Sequence, residues 1–211
     1  MKQRKKFSLK VLLVLWAALV NGCSLSSRVS STPRSSTEQR LLVTSLKRAV
    51  KQFDLGRFDG KRVSLDLAGL TADKDFAKSF VTSELQSAGA SIVPDEKEAE
   101  VRFRVIASAI GVDQDETLLG IPAFAAPVVG VPVPEVALFK WVKNRGYTEL
   151  EAYAFDGETG RFESRTPPGI GKAKYDLFTI LVLVSFGYTD LDKEINKANS
   201  VKNPGSENAS E

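Results

Sequence analysis

Val101, Phe103, Val105, Ala107 and Ala109 alternate with polar positions that include Arg102 and Arg104. A period of two puts every apolar side chain on one face of a strand and every charged one on the other. The chain must therefore build a sheet with one covered face. Two segments offer the cover. Leu42, Leu46, Ala49, Val50 and Phe53 recur at helical spacing, and Ser36 with Gln39 forms a capping box at the start of that segment. Gly56 suits its end. Phe76, Ala77, Phe80, Val81, Leu85 and Ala88 form a second stripe between Asp73 and Ala88, stopped by Gly89. Val63, Leu65 and Leu67 alternate before this helix, and Ser91-Ile92-Val93 gives a short strand after it.

Downstream, Val136 to Lys143 and Tyr147 to Asp156 read as two strands joined by a turn at Asn144-Arg145-Gly146. Asp156-Gly157-Glu158-Thr159-Gly160 is a second tight turn before a short strand, Arg161 to Arg165. Pro167-Pro168-Gly169-Ile170-Gly171 interrupts the chain again. Leu177 to Phe186 is an apolar run of about ten residues, too short to cross a bilayer. Its branched residues favour a strand buried on both faces, with a buried helix as the other reading. The expected fold is α/β, of the α+β kind: a mixed, largely antiparallel sheet with two helices packed on one face.

The first residues carry a different message. Lys2, Arg4, Lys5 and Lys6 precede an uncharged apolar run, Val11 to Val20, which ends in Asn21-Gly22-Cys23. A cationic start, a short apolar stretch and a small-residue end make an export signal. The run is about half the ~20 residues of a spanning helix. Val20, Gly22 and Cys23 resemble the lipobox of bacterial lipoproteins, with Asn21 standing where a small residue is preferred. The resemblance implies cleavage between Gly22 and Cys23 and acylation of Cys23. Ser24, rather than Asp, implies delivery to the outer membrane, on its periplasmic face. Two or more acyl chains hold a protein stably at a membrane. The expected organisation is a cleaved signal over 1–22, a flexible Ser-rich tether over 23–37, one domain over 38–190 and a disordered polar tail over 191–211.

The formal charge of +3 belongs to the signal. Residues 1–22 hold 5 of the 29 basic side chains and none of the 26 acidic ones, leaving 24 against 26 and a net of −2. Such a product has no net attraction to nucleic acid. There is no histidine, and the one cysteine is taken by the anchor. This excludes a disulfide, a thiol nucleophile, a Ser-His-Asp triad and a histidine metal site. No cofactor is implied. Asp113, Asp115 and Glu116 cluster, but match no calcium loop and read as hydrated charges. Glu149 and Glu151 share a strand face, an arrangement commonplace on sheet surfaces. Trp141, Tyr147 and Tyr153 are candidates for a glycan surface, or else pack across strands.

Thr117 to Pro134 has no charge. Pro122, Pro127, Pro132 and Pro134, with Gly120 and Gly130, argue against a helix or central strand, so a long apolar loop is expected. Leu119, Ile121, Phe124, Val128, Val129 and Val131 are its candidate interaction residues. Such a loop either covers the sheet's open end as a lid or presents a surface to a partner.

The strand-helix-strand-strand pattern over 60–110, closing in Gly89-Ala90-Ser91-Ile92-Val93 and Ala99-Glu100-Val101-Arg102-Phe103-Arg104-Val105, resembles small α/β domains of envelope proteins. These include the curli-secretion lipoprotein and the N-terminal domain of the Tol-system propeller protein. With its signal, the chain resembles uncharacterised bacterial lipoproteins, which implies a place in the envelope and no known catalysis. The expected function is a non-catalytic, membrane-anchored lipoprotein that binds another envelope component, or copies of itself, through the 117–134 loop. The alternative is a lipid- or glycan-binding lipoprotein with that loop as pocket lid.

Overall fold

The computed structural model describes residues 34–125 and 132–192, all within the unit Thr32–Glu211. The first helix, α1 (Ser36–Val50), is capped one residue earlier than expected: Ser35 is the N-cap, and its hydroxyl accepts the Glu38 N–H at 3.2 Å. Ser35 and Glu38 thus hold the places assigned above to Ser36 and Gln39. Leu41, Leu42, Ser45, Leu46, Ala49 and Val50 are its buried face. Gly56 does not cap this helix but opens a 3-10 turn, Gly56–Phe58. After β1 (Arg62–Gly69) comes α2 (Lys74–Ser87), which buries Ala77, Val81 and Leu85. Phe76, assigned to that buried stripe, is instead half exposed. Then follow β2 (Ser91–Ile92), β3 (Val101–Ile121), the short β4 (Phe124–Ala125) and β5 (Pro132–Val133), β6 (Val136–Asp156), β7 (Phe162–Ile180) and β8 (Val184–Thr189).

One sheet runs β2-β1-β3-β6-β7-β8. β1 pairs parallel with both β2 and β3, and the remaining pairs are antiparallel. This is the mixed sheet expected. Phe103 sits at the centre of its core, 5.0 Å from the Phe58 ring and 6.5 Å from that of Phe53. Ala152 and Ala154 of β6 share this core with Val63 and Leu65 of β1.

Two expected breaks are absent from the structure, and the glycines in both have one role. Asn144-Arg145-Gly146 is no turn: it lies in the middle of β6, with Gly146 between Val112 and Ala173. Gly169 and Gly171 are likewise inside β7. All three glycines lie directly under α1. A Cβ on Gly146 would sit 2.6 Å from the Leu41 carbonyl oxygen, on Gly169 2.5 Å from that of Ala49, and on Gly171 1.7 Å from that of Ser45. The glycines allow close helix approach rather than chain reversal. Pro167 and Pro168 lie where the β6–β7 register shifts, so their missing N–H groups interrupt no regular pairing.

The run Leu177 to Phe186 is also reassigned. It is a hairpin: the end of β7, a turn at 181–183 and the start of β8, with Ile180, Leu181, Leu183, Val184 and Phe186 exposed. Leu181 and Val182 take φ of 49° and 64°, the left-handed region that such a reversal needs.

The fold continues past residue 190. Leu191 is buried against Leu41 and Ala173. Asp190 accepts the Lys174 N–H at 2.9 Å and pairs with Arg48 at 2.7 Å, while Arg40 reaches Asp192 at 2.6 Å. Arg40 of α1 is thus held in an ion pair within the chain. Residues 193–211 lie outside the described residues.

Two outcomes follow from this packing. Gly171→Ala drives a methyl group into the α1 backbone, and we expect a loss of about 1–3 kcal/mol in denaturant unfolding. Burial pushes the Asp190 carboxyl up, but the Lys174 N–H and Arg48 outweigh it, and the net shift is downward. A lowered folded pKa contributes stability that is whole above the ordinary carboxylate range and is lost as pH falls through the folded value. Asp190→Asn should cost about 1 kcal/mol at pH 7. Unfolding measured down through pH ~4 and below should show that difference shrinking.

Candidate functional site

Beyond α1 the sheet continues uncovered. The helix passes Gly146 at Leu41 and Gly171, which pairs with Thr148, at Ser45, so it runs in the direction of β6. Its first residues point toward the Val136 end. From Gly146 to Val136 is ten residues of strand, on the order of 33 Å. The helix itself reaches only about 7 Å past Leu41.

Register places the side chains of this extension in rows on the face opposite the helices. Asp113 pairs with Arg145, and Arg145 with Lys174. The next row is Asp115, Lys143, Asp176 and Tyr188. Then come Thr117, Trp141, Phe178 and Phe186, and after them Leu119, Phe139, Ile180 and Val184. The order toward the tip is charged, aromatic, then mainly aliphatic, with Phe139 in the last row. The aromatic row is a ladder: Trp141 stacks on Phe178 at 5.4 Å and 21°, and Phe178 on Phe186 at 5.2 Å and 19°. Lys143 Nζ lies 3.9 Å from the Trp141 ring, and Lys174 Nζ lies 4.9 Å from the Tyr188 ring.

Asp176 ties the charged row to the ladder. It is buried, yet accepts Arg145 at 2.8 Å and the Trp141 indole N–H at 3.3 Å. Those partners balance the cost of burying a carboxylate. The helix-side face of the extension is more polar. There Lys140 of β6 bridges Glu116 of β3 at 3.0 Å and Glu135 at 2.9 Å. Burial lowers the Lys140 pKa, but its hydrogen bonds to Glu135 and Glu116 outweigh that and raise it on balance.

The sequence candidates divide accordingly. Leu119 and Ile121 end β3 and Phe124 starts β4; all three are exposed, at 64%, 52% and 48%. Thr117 to Ile121 is therefore strand, not irregular loop, because β6 continues far enough to pair with it. These exposed side chains do not fold back over the sheet as a lid. Val128, Val129 and Val131, like Gly22 and Cys23, lie outside the described residues. Phe139, Trp141, Phe178, Val184, Phe186 and Tyr188 complete the surface. Among them only Trp141 was a surface candidate in the sequence, in a different grouping, while Phe178, Val184 and Phe186 lie in the run read there as buried.

The other candidates do not converge. Trp141, Tyr147 and Tyr153 sit along one strand, with Tyr153 about 40 Å from Trp141. The Tyr147 hydroxyl donates to Glu149 at 2.8 Å and that of Tyr153 to Glu151 at 2.7 Å, which raises both phenol pKa values. The same Tyr153 bond, with Arg165, holds the Glu151 carboxyl below its usual range, the reverse of what a general acid needs. Asp113, Asp115 and Glu116 are spread along β3, and no cluster of three metal-ligating residues occurs among the described residues. Among the described residues no helix is long and apolar enough to cross a membrane. An apolar groove of about 260 Å³ lies elsewhere, between α1 and α2, lined by Leu42, Val43, Leu46, Phe76 and Ala77 under an Arg34–Asp73 ion pair.

No known family matches this chain, and no curated protein does. Among solved structures it is similar to lipoprotein GNA1162 from Neisseria meningitidis, with TM-score 0.33 and 7% identity over 68% of this chain and 99% of that one. It is similar to the LpoB C-terminal domain from Salmonella enterica, with TM-score 0.32 and 11% identity over 62% and 95%. A homolog of neuraminyllactose-binding hemagglutinin from Helicobacter pylori gives TM-score 0.29 and 14% identity over 67% and 78%. Likenesses this slight leave function to be argued from the chain's own surface.

Asp176→Ala removes the acceptor shared by Arg145 and Trp141. We expect amide exchange over 175–188 to quicken by a local loss of about 1–3 kcal/mol, with exchange over 101–107 unchanged.

Proposed function

We propose that this chain is a non-catalytic lipoprotein of the bacterial envelope, cleaved between Gly22 and Cys23 and held by acyl chains on Cys23. The outer membrane, periplasmic face, is its location on this reading, because Ser24 follows the cysteine. Its function is to bind another envelope component, or a further copy of itself, through the exposed end of the β3–β6 hairpin. One observation carries this: Leu119, Ile121, Phe124 and Val136 are exposed together, on strands that project well beyond the helices. A contiguous apolar surface held on paired backbone is costly to leave in water and marks an interface.

The test has two parts. The native peptide that begins at Cys23 should carry acyl mass, and Cys23→Ser should leave the signal uncleaved and that mass absent. In cells carrying native protein, cross-linking should capture a specific envelope component. Leu119→Asp with Phe124→Asp should lose that capture while acylation and folding persist. If the double variant captures the same component, the hairpin end is not the interface.

A further inference from the structure

We infer that the face carrying the Trp141–Phe178–Phe186 ladder meets the lipid surface itself, seated at the headgroup level with its aliphatic row pointing inward. This rests on the anchor at Cys23 proposed above and concerns the β6–β8 face rather than the partner of the β3–β6 hairpin end.

Three observations converge. The first is the order of chemistry along the extension. On β6–β8, Arg145, Lys143 and Lys174 stand furthest from the tip, the ladder follows, and Ile180 and Val184 lie beyond it beside Phe139. A membrane interface has the same order with depth: charge among headgroups, Trp and Tyr at the boundary, aliphatic groups below. The Trp141 indole N–H donates to Asp176 of the charged row at 3.3 Å, so its polar end faces the charged side, and Tyr188 stands in that row with Lys174 Nζ 4.9 Å from its ring. The second is direction. α1 begins at the end of the sheet that carries this surface, since Leu41 lies over Gly146 while Ser45 and Ala49 lie progressively further from the tip. The third is length. Ten residues, hence eleven Cα–Cα steps, separate Cys23 from Arg34, where the described chain begins. Whatever their conformation they span at most ~39 Å. The aromatic row lies only about 10 Å beyond the start of α1. An anchor at Cys23 therefore reaches the level of that row with length to spare.

The structure also limits the depth. Among the described residues β3 has no partner but β6 beyond Ala107, and β8 has none but β7. Unpaired strand edges are not tolerated in hydrocarbon. The opposite face carries Lys140 with Glu116 and Glu135. A single chain can thus enter the interface, by about 5–10 Å, but not cross it.

The chain supplies its own probe. It holds two tryptophans, Trp16 and Trp141, and cleavage before Cys23 removes the first. The lipidated protein is reconstituted in vesicles of phosphatidylethanolamine and phosphatidylglycerol, brominated either near the headgroups or near the bilayer centre. We expect Trp141 emission to be lost more in the shallow-brominated vesicles than in the deep ones. Val184→Asp with Phe186→Asp should restore emission, while the protein still floats with the vesicles on its acyl chains. Equal emission in plain and brominated vesicles, from protein that floats, overturns the inference. So does a blue-shifted but unquenched Trp141, the signature of a second copy or a protein covering the ladder. Quenching greater at the centre overturns the interfacial placement. Failure of the anchor reads differently: the cysteine peptide lacks acyl mass and the protein does not float, and Trp141 quenching by added brominated vesicles is then scored by the same criteria.

Discussion

The structure depends on how closely one helix lies on one sheet. At Gly146, Gly169 and Gly171 the α1 backbone comes nearer than any side chain would allow. Ser45 closes the gap from above by meeting Thr148 at 2.9 Å, each hydroxyl buried and satisfied by the other. This seat fixes the direction of α1, and with it the end of the sheet from which the preceding chain leaves. It also fixes the return of the chain after β8, where Leu191 packs on Leu41 and Asp190 holds Arg48.

A helix of 15 residues covers about 22 Å of sheet, while β3 and β6, at 21 residues each, run to about 70 Å. The mismatch in rise per residue is what exposes the extension. Half of the sheet is a conventional core with a polar reverse side, where Arg104 meets Asp66 and Arg165 meets Glu151. The other half has no helix over it and turns its apolar row to the opposite face. On β3 the bulge between Ala107 and Ala109 reverses which residues face the helices, whereas on β6, which pairs regularly from Glu149 to Phe139, the apolar residues themselves change parity, from Leu150, Ala152 and Ala154 to Trp141 and Phe139.

The alternation of Val101 to Ala107, the apolar stripes of both helices and the Asp156–Thr159 turn were legible because each is a local pattern with a local cause. The turn closes as expected, with Asp156 accepting the Thr159 N–H at 2.6 Å. The glycines were misread because sequence records that a Cβ is missing, not why. At Gly160, with φ of 66°, the reason is a turn; at Gly146 it is a carbonyl from a helix about a hundred residues earlier. The prolines of the 117–134 segment misled in the same way. Pro122 stands just after β3 and Pro134 between β5 and β6, so they punctuate the hairpin without entering its long strands.

By itself, the sequence determined the absence of histidine chemistry and a mixed sheet with two helices on it, and it alone is the ground for proposing an export signal and lipobox. These follow from composition and short-range period, which need no partner in space. Tertiary structure alone decided that Trp141, Phe178 and Phe186 form one ladder, that it stands at the end from which α1 starts, and that Asp176 is buried beneath it. Those residues come from three strands whose mutual register is set by hydrogen bonding across the sheet, and no local pattern encodes that register.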